Sequence, residues 1–171
     1  MKFTIATDGS FTDAEGVSKG AGVLRVEDTC DEFVKSAHSN DKRFVSSRNI
    51  GGEYLGCIIG LYQLCIYVKN AEEDIESAEI TILHDYQGLS KCILGGLSAC
   101  HKQSSVLFYT CYTNLIKYLR TMVPTVSVRF EWVHGHTGER LNELADYYAG
   151  QPYTSMEDAH QLLTILEELE E

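Results

Sequence analysis

Four acidic residues are placed where the sequence predicts the end of a strand or a helix. Asp8 closes an alternating strand, and Asp85 ends a short apolar strand. Glu53 opens a long apolar helix, and Asp146 lies on a later helix. Carboxylates that a fold brings together repel one another and lose solvation, so they are usually assembled to bind a hard divalent cation. The four acids therefore predict a metal site, and such a metal suggests phosphate chemistry.

The elements that would position these acids follow from the hydrophobic patterns. Residues 3–8, 20–26 and 32–38 are β-rich runs with short gaps, which favours antiparallel neighbours. Residues 79–84 and 126–132 predict two more strands, and helical patterns occupy 53–69, 87–94, 105–122 and 141–148. We expect an α/β fold with a five-stranded mixed sheet, three antiparallel strands and then two parallel ones, and helices on both faces. Ligands of such sheets gather where strand ends and helix starts converge.

The charge of the chain is unusual for a protein that binds nucleic acid. The 171 residues carry a formal net charge of −11, whereas backbone phosphates favour Lys and Arg. Six of the acids fall within residues 157–171, and without them the charge changes from −11 to −5. We therefore predict a catalytic domain at 1–152 and an acidic, amphipathic tail at 153–171 that leaves room for a protein partner.

Composition also bounds the cellular setting. Six cysteines without a C-x-x-C pair predict free thiols in a reducing compartment. Residues 1–10 are already strand-like, so we expect no signal peptide, and we expect no apolar run to reach the ~18 residues needed to span a bilayer. We expect a soluble, cytoplasmic monomer that does not associate with membranes.

Each of these motifs is weak when it is taken alone. Asp8 before a glycine is typical of a turn, and a Glu early in a helix complements the helix dipole. Asp85 could cap a helix, Asp146 could be a solvated helical acid, and His136 could be an exposed loop residue. Their combination, order and spacing make the metal site the favoured interpretation.

With these motifs in this order, the sequence resembles type 1 ribonuclease H, which cuts the RNA strand of an RNA–DNA hybrid. The segments that carry the resemblance are 8–10 (Asp-Gly-Ser), 48–53 (Arg-Asn-Ile-Gly-Gly-Glu), 83–87 (Leu-His-Asp-Tyr-Gln), 132–138 (Trp-Val-His-Gly-His-Thr-Gly) and 142–146 (Asn-Glu-Leu-Ala-Asp). Together they span residues 1 to about 150. The resemblance implies a ribonuclease H-like fold.

It also implies roles for individual residues. Asp8, Glu53, Asp85 and Asp146 would bind two Mg²⁺ ions, with Mn²⁺ able to substitute, about 4 Å apart around the scissile phosphate. One ion would activate the attacking water and the other would stabilise the leaving 3′-oxygen, giving 5′-phosphate and 3′-hydroxyl ends. His136 would help to deprotonate water or to clear products.

The hybrid would be held by short polar side chains and backbone amides that read the 2′-hydroxyl. The residues implied are Gly9, Ser10, Arg48, Asn49, Gln87 and Asn142. For two of them a purely structural role is an open alternative. Asn142 could be a helix cap, and Arg48 could be a solvated charge.

Two departures from the family pattern concern affinity. Many relatives have a basic, Trp-bearing protrusion after the third acid, but residues 95–102 are short and nearly uncharged here. Ile50 stands where a second Asn is common.

Two alternatives remain open: a nuclease of the same superfold that acts on DNA or structured RNA, and a non-enzymatic module for protein interaction. Loss of an acid would favour the module, and none of the four is lost.

Overall fold

The computed structural model describes residues 1–134 and 139–169. Its strands are β1 (Lys2–Thr12), β2 (Val17–Val26), β3 (Asp31–Ser39), β4 (Ser77–His84), β5 (Thr125–Trp132) and β6 (Glu157–Asp158). Its helices are α1 (Lys42–Val45), α2 (Asn49–Lys69), α3 (Gly88–Gly95), α4 (Gln103–Met122), α5 (Arg140–Ala149) and α6 (His160–Glu168). Short 3-10 turns lie at Leu97–Ala99 and Tyr153–Ser155.

The strands form one mixed sheet in the order β5-β4-β1-β2-β3-β6. β1, β2 and β3 are antiparallel neighbours, and β4 and β5 continue the sheet in parallel from β1. The predicted α/β fold with a mixed sheet is confirmed. The predicted count of five strands is wrong, because β6 adds parallel to β3. A two-residue strand is too short to show an alternating pattern in the sequence.

Asp8 does not close its strand, contrary to the prediction. β1 continues to Thr12, which pairs with Val17 across a turn containing Gly16 at φ 67. The parallel pairing of β1 with β4, however, ends at Ala6 opposite Leu83. Continuing this register by two residues places Asp8 opposite Asp85. The two acids therefore lie where the two strands separate.

Helix α2 is the central helix, and most of its residues are buried against the sheet and α4. It begins at Asn49, so Glu53 lies in its second turn and does not open the helix as predicted. By length and composition alone α2 could cross a membrane, which corrects the expectation that no segment is apolar enough. The core of a folded protein meets the same criterion, and here 72% of the most apolar window is buried inside the protein.

The segment after Pro152 packs on the body of the protein. Leu163 and Leu166 of α6 are 2% and 3% exposed, and the Asn114 side chain on α4 donates a hydrogen bond to the Leu166 carbonyl. Arg43 on α1 makes a bidentate ion pair with Glu167. The described part of this tail is therefore attached to α1, α4 and β3.

Candidate active site

Three of the four predicted acids form a compact cluster. Asp8, Glu53 and Asp85 each offer one carboxylate oxygen, and these oxygens all lie within 4.8 Å of one another. Asp8 is 3% exposed and Glu53 is 6% exposed. The cluster joins β1, the second turn of α2 and the residue directly after β4. Carboxylate oxygens at this spacing are suitable ligands for a hard divalent cation.

Glycines allow helix α2 to approach the sheet closely enough to build this cluster. A Cβ atom added to Gly9 would lie 2.1 Å from the backbone nitrogen of Glu53, and one added to Gly56 would lie 2.6 Å from the carbonyl oxygen of Asp8. Both distances are far below van der Waals contact. A side chain at either position would push α2 away from β1 and would separate Glu53 from Asp8.

The same close contact continues along the helix. Gly52, Gly56 and Gly60 recur every four residues, so they lie on one face of α2. Gly20 and Gly22 lie beneath them on β2, where an added Cβ would meet the backbone nitrogens of Gly56 and Gly60 at 2.4 and 2.6 Å. The sequence interpretation missed this arrangement. The sequence feature that could have revealed it is a set of glycines four residues apart in the predicted helix and two residues apart in the predicted strand.

The cluster is electrostatically strained without a cation. Burial raises the pKa of Asp8 to about 7, and the neighbouring Asp146 and Asp85 carboxylates add to the effect. Burial, followed by the charge of Asp8, raises the pKa of Glu53 well above its ordinary value. Within the described residues, Glu53 Oε2 and Asp85 Oδ1 are buried and lack a hydrogen-bond donor. A bound cation would coordinate such carboxylate oxygens, which otherwise have no hydrogen-bond donor.

Asp146 lies at the edge of this cluster. It is on α5, is exposed to solvent, and contacts Asp8 closely enough to raise the pKa of that residue. It does not belong to the group of three whose oxygens share the 4.8 Å limit. Helix α5 is fixed beneath it, because Leu141 and Ala145 pack against Ala6 and neighbouring apolar residues on the other face of the sheet. Asp146 therefore lies next to Asp8 on the solvent side of the cluster, and its role as a fourth ligand stays a prediction.

Two hydrogen bonds fix the backbone around Asp85, one to the Asp85 carbonyl and one to the Tyr86 carbonyl. The indole N–H of Trp132 donates to the carbonyl of Asp85 over 3.1 Å. The ring of His84, which is 1% exposed, donates from Nδ1 to the carbonyl of Tyr86 over 3.0 Å. Burial lowers the pKa of His84. The positioning role of Trp132 was missed from sequence, although the residue lies in the motif at 132–138.

Each predicted substrate-binding residue lies within five residues of one of the acids in the sequence, and several already have partners. The Gly9 N–H donates to Asp8 Oδ1 over 2.8 Å, and the Ser10 hydroxyl donates to the Ala149 carbonyl over 2.5 Å. Asn49 and Gln87 are exposed at the first residue of α2 and just before α3. These two side chains are therefore accessible from solvent, as is that of Arg48.

The contacts of Arg48 and Asn142 test the structural roles that were left open for them, a solvated charge for Arg48 and a helix cap for Asn142. Arg48 adopts φ 54 before α2, forms an ion pair with Asp13, and lies 5.1 Å from the centre of the Phe11 ring. Asn142 does not cap α5, because the carboxylate of Glu139 accepts from the Asn142 backbone N–H over 2.7 Å. The Asn142 side-chain oxygen is buried and has no donor within the described residues. The helix-cap alternative for the Asn142 side chain is therefore not supported, and its role at the site stays a prediction.

The segment that replaces the basic protrusion is folded against α3. The Cys100 sulfur lies 2.8 Å from that of Cys92 on α3. Leu94 and Leu97 are 77% and 55% exposed here. The region therefore exposes apolar side chains together with two lysines, Lys91 and Lys102, and residues 86–130 carry no acid.

His136 falls outside the described residues. Its predicted role in turnover therefore stays a prediction.

No protein-family model matches the sequence, and no curated protein matches it. Solved structures do match. The N-terminal RNase H domain of a Mycobacterium tuberculosis protein, determined as a fusion with maltose-binding protein, is 19% identical with a TM-score of 0.55, covering 86% of this chain and 93% of that chain. LC11-RNase H1, isolated from compost by a metagenomic approach, is 16% identical with a TM-score of 0.58, covering 86% and 95%. LC11-RNase H1 in complex with an RNA/DNA hybrid is 15% identical with a TM-score of 0.53, and the match covers 86% of this chain and 96% of that chain.

These similarities define the fold. The chain has a ribonuclease H-like fold, as the resemblance implied, over most of its own length and nearly all of the length of its structural neighbours.

Proposed function

We propose that the protein is a metal-dependent endoribonuclease that hydrolyses the RNA strand of RNA–DNA hybrids and leaves 5′-phosphate and 3′-hydroxyl ends. The observation that carries the proposal is the group of Asp8 and Glu53, both buried, and the half-buried Asp85, whose ligand oxygens lie within 4.8 Å of one another in a ribonuclease H-like fold. A structural neighbour was solved in complex with an RNA/DNA hybrid, which supports the same class of substrate.

The residues present fit two Mg²⁺ ions, with Mn²⁺ as a substitute. Asp8, Glu53 and Asp85 supply hard oxygen donors, and Asp146 supplies a further one that faces solvent. When bound, such ions lower the pKa of an attacking water and neutralise charge on the leaving oxygen. The oxygens of Glu53 and Asp85 that have no donor in the described part of the chain are consistent with this use.

The other side chains would position the substrate. Asn49 and Gln87 are exposed beside the acids and can exchange hydrogen bonds with a 2′-hydroxyl, which is the group that distinguishes RNA from DNA. Asn142, whose side-chain oxygen has no donor among residues 1–134 and 139–169, would accept a hydrogen bond from the same strand once the substrate is bound. Arg48, which pairs with Asp13 in the free protein, would offer its positive charge to the phosphates, and Ser10 would help to position the strand. His136 would move a proton or help the product leave.

The test is cleavage of end-labelled duplexes of one sequence made as RNA–DNA, RNA–RNA and DNA–DNA, each with Mg²⁺ or with EDTA. We expect cleavage of the hybrid alone, only with metal, and loss of it in Asp85→Asn. Glu131→Gln, which removes one exposed acid on β5, is the control and should cleave like the wild type. Cleavage of DNA–DNA or RNA–RNA would assign another substrate, and normal cleavage by Asp85→Asn would refute the site.

A further inference from the structure

The outer edge of strand β3 is open over most of its length. β6 pairs only with Ala37 and His38. Within residues 1–134 and 139–169, no strand pairs with that edge at 31–36. An open edge with unpaired backbone groups is a template for another extended chain.

The backbone groups on this edge can be assigned from the neighbouring contact. The His38 carbonyl accepts from the Ala159 N–H over 2.9 Å, so the polar groups of His38 point away from β2. The register between β2 and β3 is unbroken, and successive residues of a strand point their backbone groups to opposite sides. The N–H and C=O groups of Glu32, Val34 and Ser36 therefore point outward as well.

A large groove lies beside this edge, at the end of α2 that is remote from the acid cluster. Its volume is about 1330 Å³. Apolar side chains from three elements line it, including Phe33 on β3, Ile66 and Tyr67 on α2, and Ile75 before β4. Phe33 is 42% exposed, and its ring lies 6.0 Å from that of Tyr67. The α2 side of the open edge thus exposes apolar side chains, with Lys35, Gln63 and Asn70 among them.

The rim of the groove is strongly acidic. Five carboxylates line it that have no ion pair within the described residues: Asp28, Glu72, Glu73, Asp74 and Glu76. Lys35 on β3 does not neutralise these five carboxylates, because its ammonium group pairs with Glu157 at 3.4 Å. The ammonium group of Met1 adds one positive charge to the lining, so the groove combines apolar side chains with an excess of negative charge.

We propose that this surface, the β3 groove, binds an extended basic segment of a partner protein, which adds as a strand along residues 31–36. Main-chain hydrogen bonds to Glu32, Val34 and Ser36 would supply affinity, as in other cases of strand addition. Alternate side chains of the added strand would face the groove. Long basic side chains fit there, because their aliphatic stems can cover the apolar floor while their charges reach the rim.

A second copy of this chain is the less favoured occupant. Pairing two copies through this edge would bring two acidic rims together, and like charges in an interface oppose association.

The test uses a fluorescent peptide of alternating lysine and valine, titrated with the full chain and followed by anisotropy. Two peptides of the same length serve as controls: one with glutamate in place of lysine, and one with lysine and valine but N-methylated along one backbone edge. We expect binding of the basic peptide, weakening as salt rises, and no binding of either control.

Variants of the protein separate the edge from the charge. Val34→Pro removes an outward N–H without removing a bond to β2 and should weaken binding roughly tenfold, while Val34→Ala keeps the N–H and should bind nearly as well. Neutralising Glu72, Glu73 and Asp74 to their amides should also weaken binding roughly tenfold. The matched control neutralises Glu79, Glu131 and Glu168, which are exposed but do not line the groove.

Three results would overturn the proposal. Equal binding of the N-methylated peptide would show that no strand is added, and this test does not depend on the folding of any variant. Equal loss in the two triple variants would reduce the effect to net charge. Self-association in sedimentation experiments that Val34→Pro abolishes would assign the edge to a second copy.

Discussion

Replacing Asp8 with Asn should stabilise the metal-free protein at neutral and higher pH. The carboxylate of Asp8 is 3% exposed and lies beside Glu53 and Asp85, so ionising it in the folded state is costly. Asn keeps a side-chain oxygen that can accept from the Gly9 N–H, which now donates to Asp8 over 2.8 Å. The substitution therefore removes the charge and preserves the local hydrogen bond.

The magnitude follows from the pKa of Asp8, which burial raises from 3.8 to about 7. Because the folded state holds this proton more tightly than the unfolded state, the stability of the wild type falls as pH rises from about 4 to about 7. A shift of about three pKa units corresponds to roughly 4 kcal/mol. The advantage of Asp8→Asn should be about 0.5 kcal/mol at pH 4, about 2 kcal/mol at pH 5.5 and about 4 kcal/mol at pH 8.

The measurement is urea unfolding of both proteins in EDTA across this pH range. Glu131→Gln removes an exposed acid and should stay within about 0.5 kcal/mol of the wild type throughout. Adding Mg²⁺ at pH 8 should stabilise the wild type and should stabilise Asp8→Asn much less. An advantage that does not grow with pH, or none at pH 8, would refute the electrostatic account of the cluster.

Three other substitutions test separate parts of the site and the tail. His136→Ala should lower kcat by about 10² or more and leave KM and the Mg²⁺ dependence unchanged; an unchanged kcat would make His136 an ordinary loop residue. Trp132→Phe removes the donor to the Asp85 carbonyl, so half-maximal activity should need roughly tenfold more Mg²⁺, and an unaltered metal dependence would contradict this role. Truncation after Pro152 exposes the surface under Leu163 and Leu166, so Tm should fall with hybrid KM unchanged. Tighter hybrid binding with an unchanged Tm would instead show that the tail repels substrate.

The acids of the site could be predicted because their motifs depend on local sequence. Asp85 follows an apolar strand directly, and Glu53 lies early in an apolar helix, so the convergence of strand ends and helix starts placed both near Asp8. The exact position of Asp8 could not be predicted. Its strand is extended by hairpin pairing with β2, and only the loss of the parallel neighbour β4 frees Asp8 to face Asp85.

What the sequence did not reveal depends on contacts between distant segments. The indole of Trp132 reaches the carbonyl of Asp85 only because β5 pairs in parallel with β4. The start of α2 at Asn49 was missed because the glycines at 51 and 52 are poor helix formers. Their value lies in tertiary packing, since an added Cβ at Gly52 would lie 2.3 Å from the carbonyl oxygen of Lys19.

The net charge of −11 should repel a nucleic-acid substrate, but many of the acids lie far from the candidate active site. The acidic rim of the β3 groove lies near the end of α2, some seventeen residues beyond Glu53, which corresponds to roughly 25 Å along a helix. Exposed charges are screened over about 8 Å at physiological ionic strength. The rim is therefore about three screening lengths from the cluster and should contribute little repulsion to a hybrid bound there. The charge that does act at the site belongs to the carboxylates themselves, and a bound cation would neutralise it.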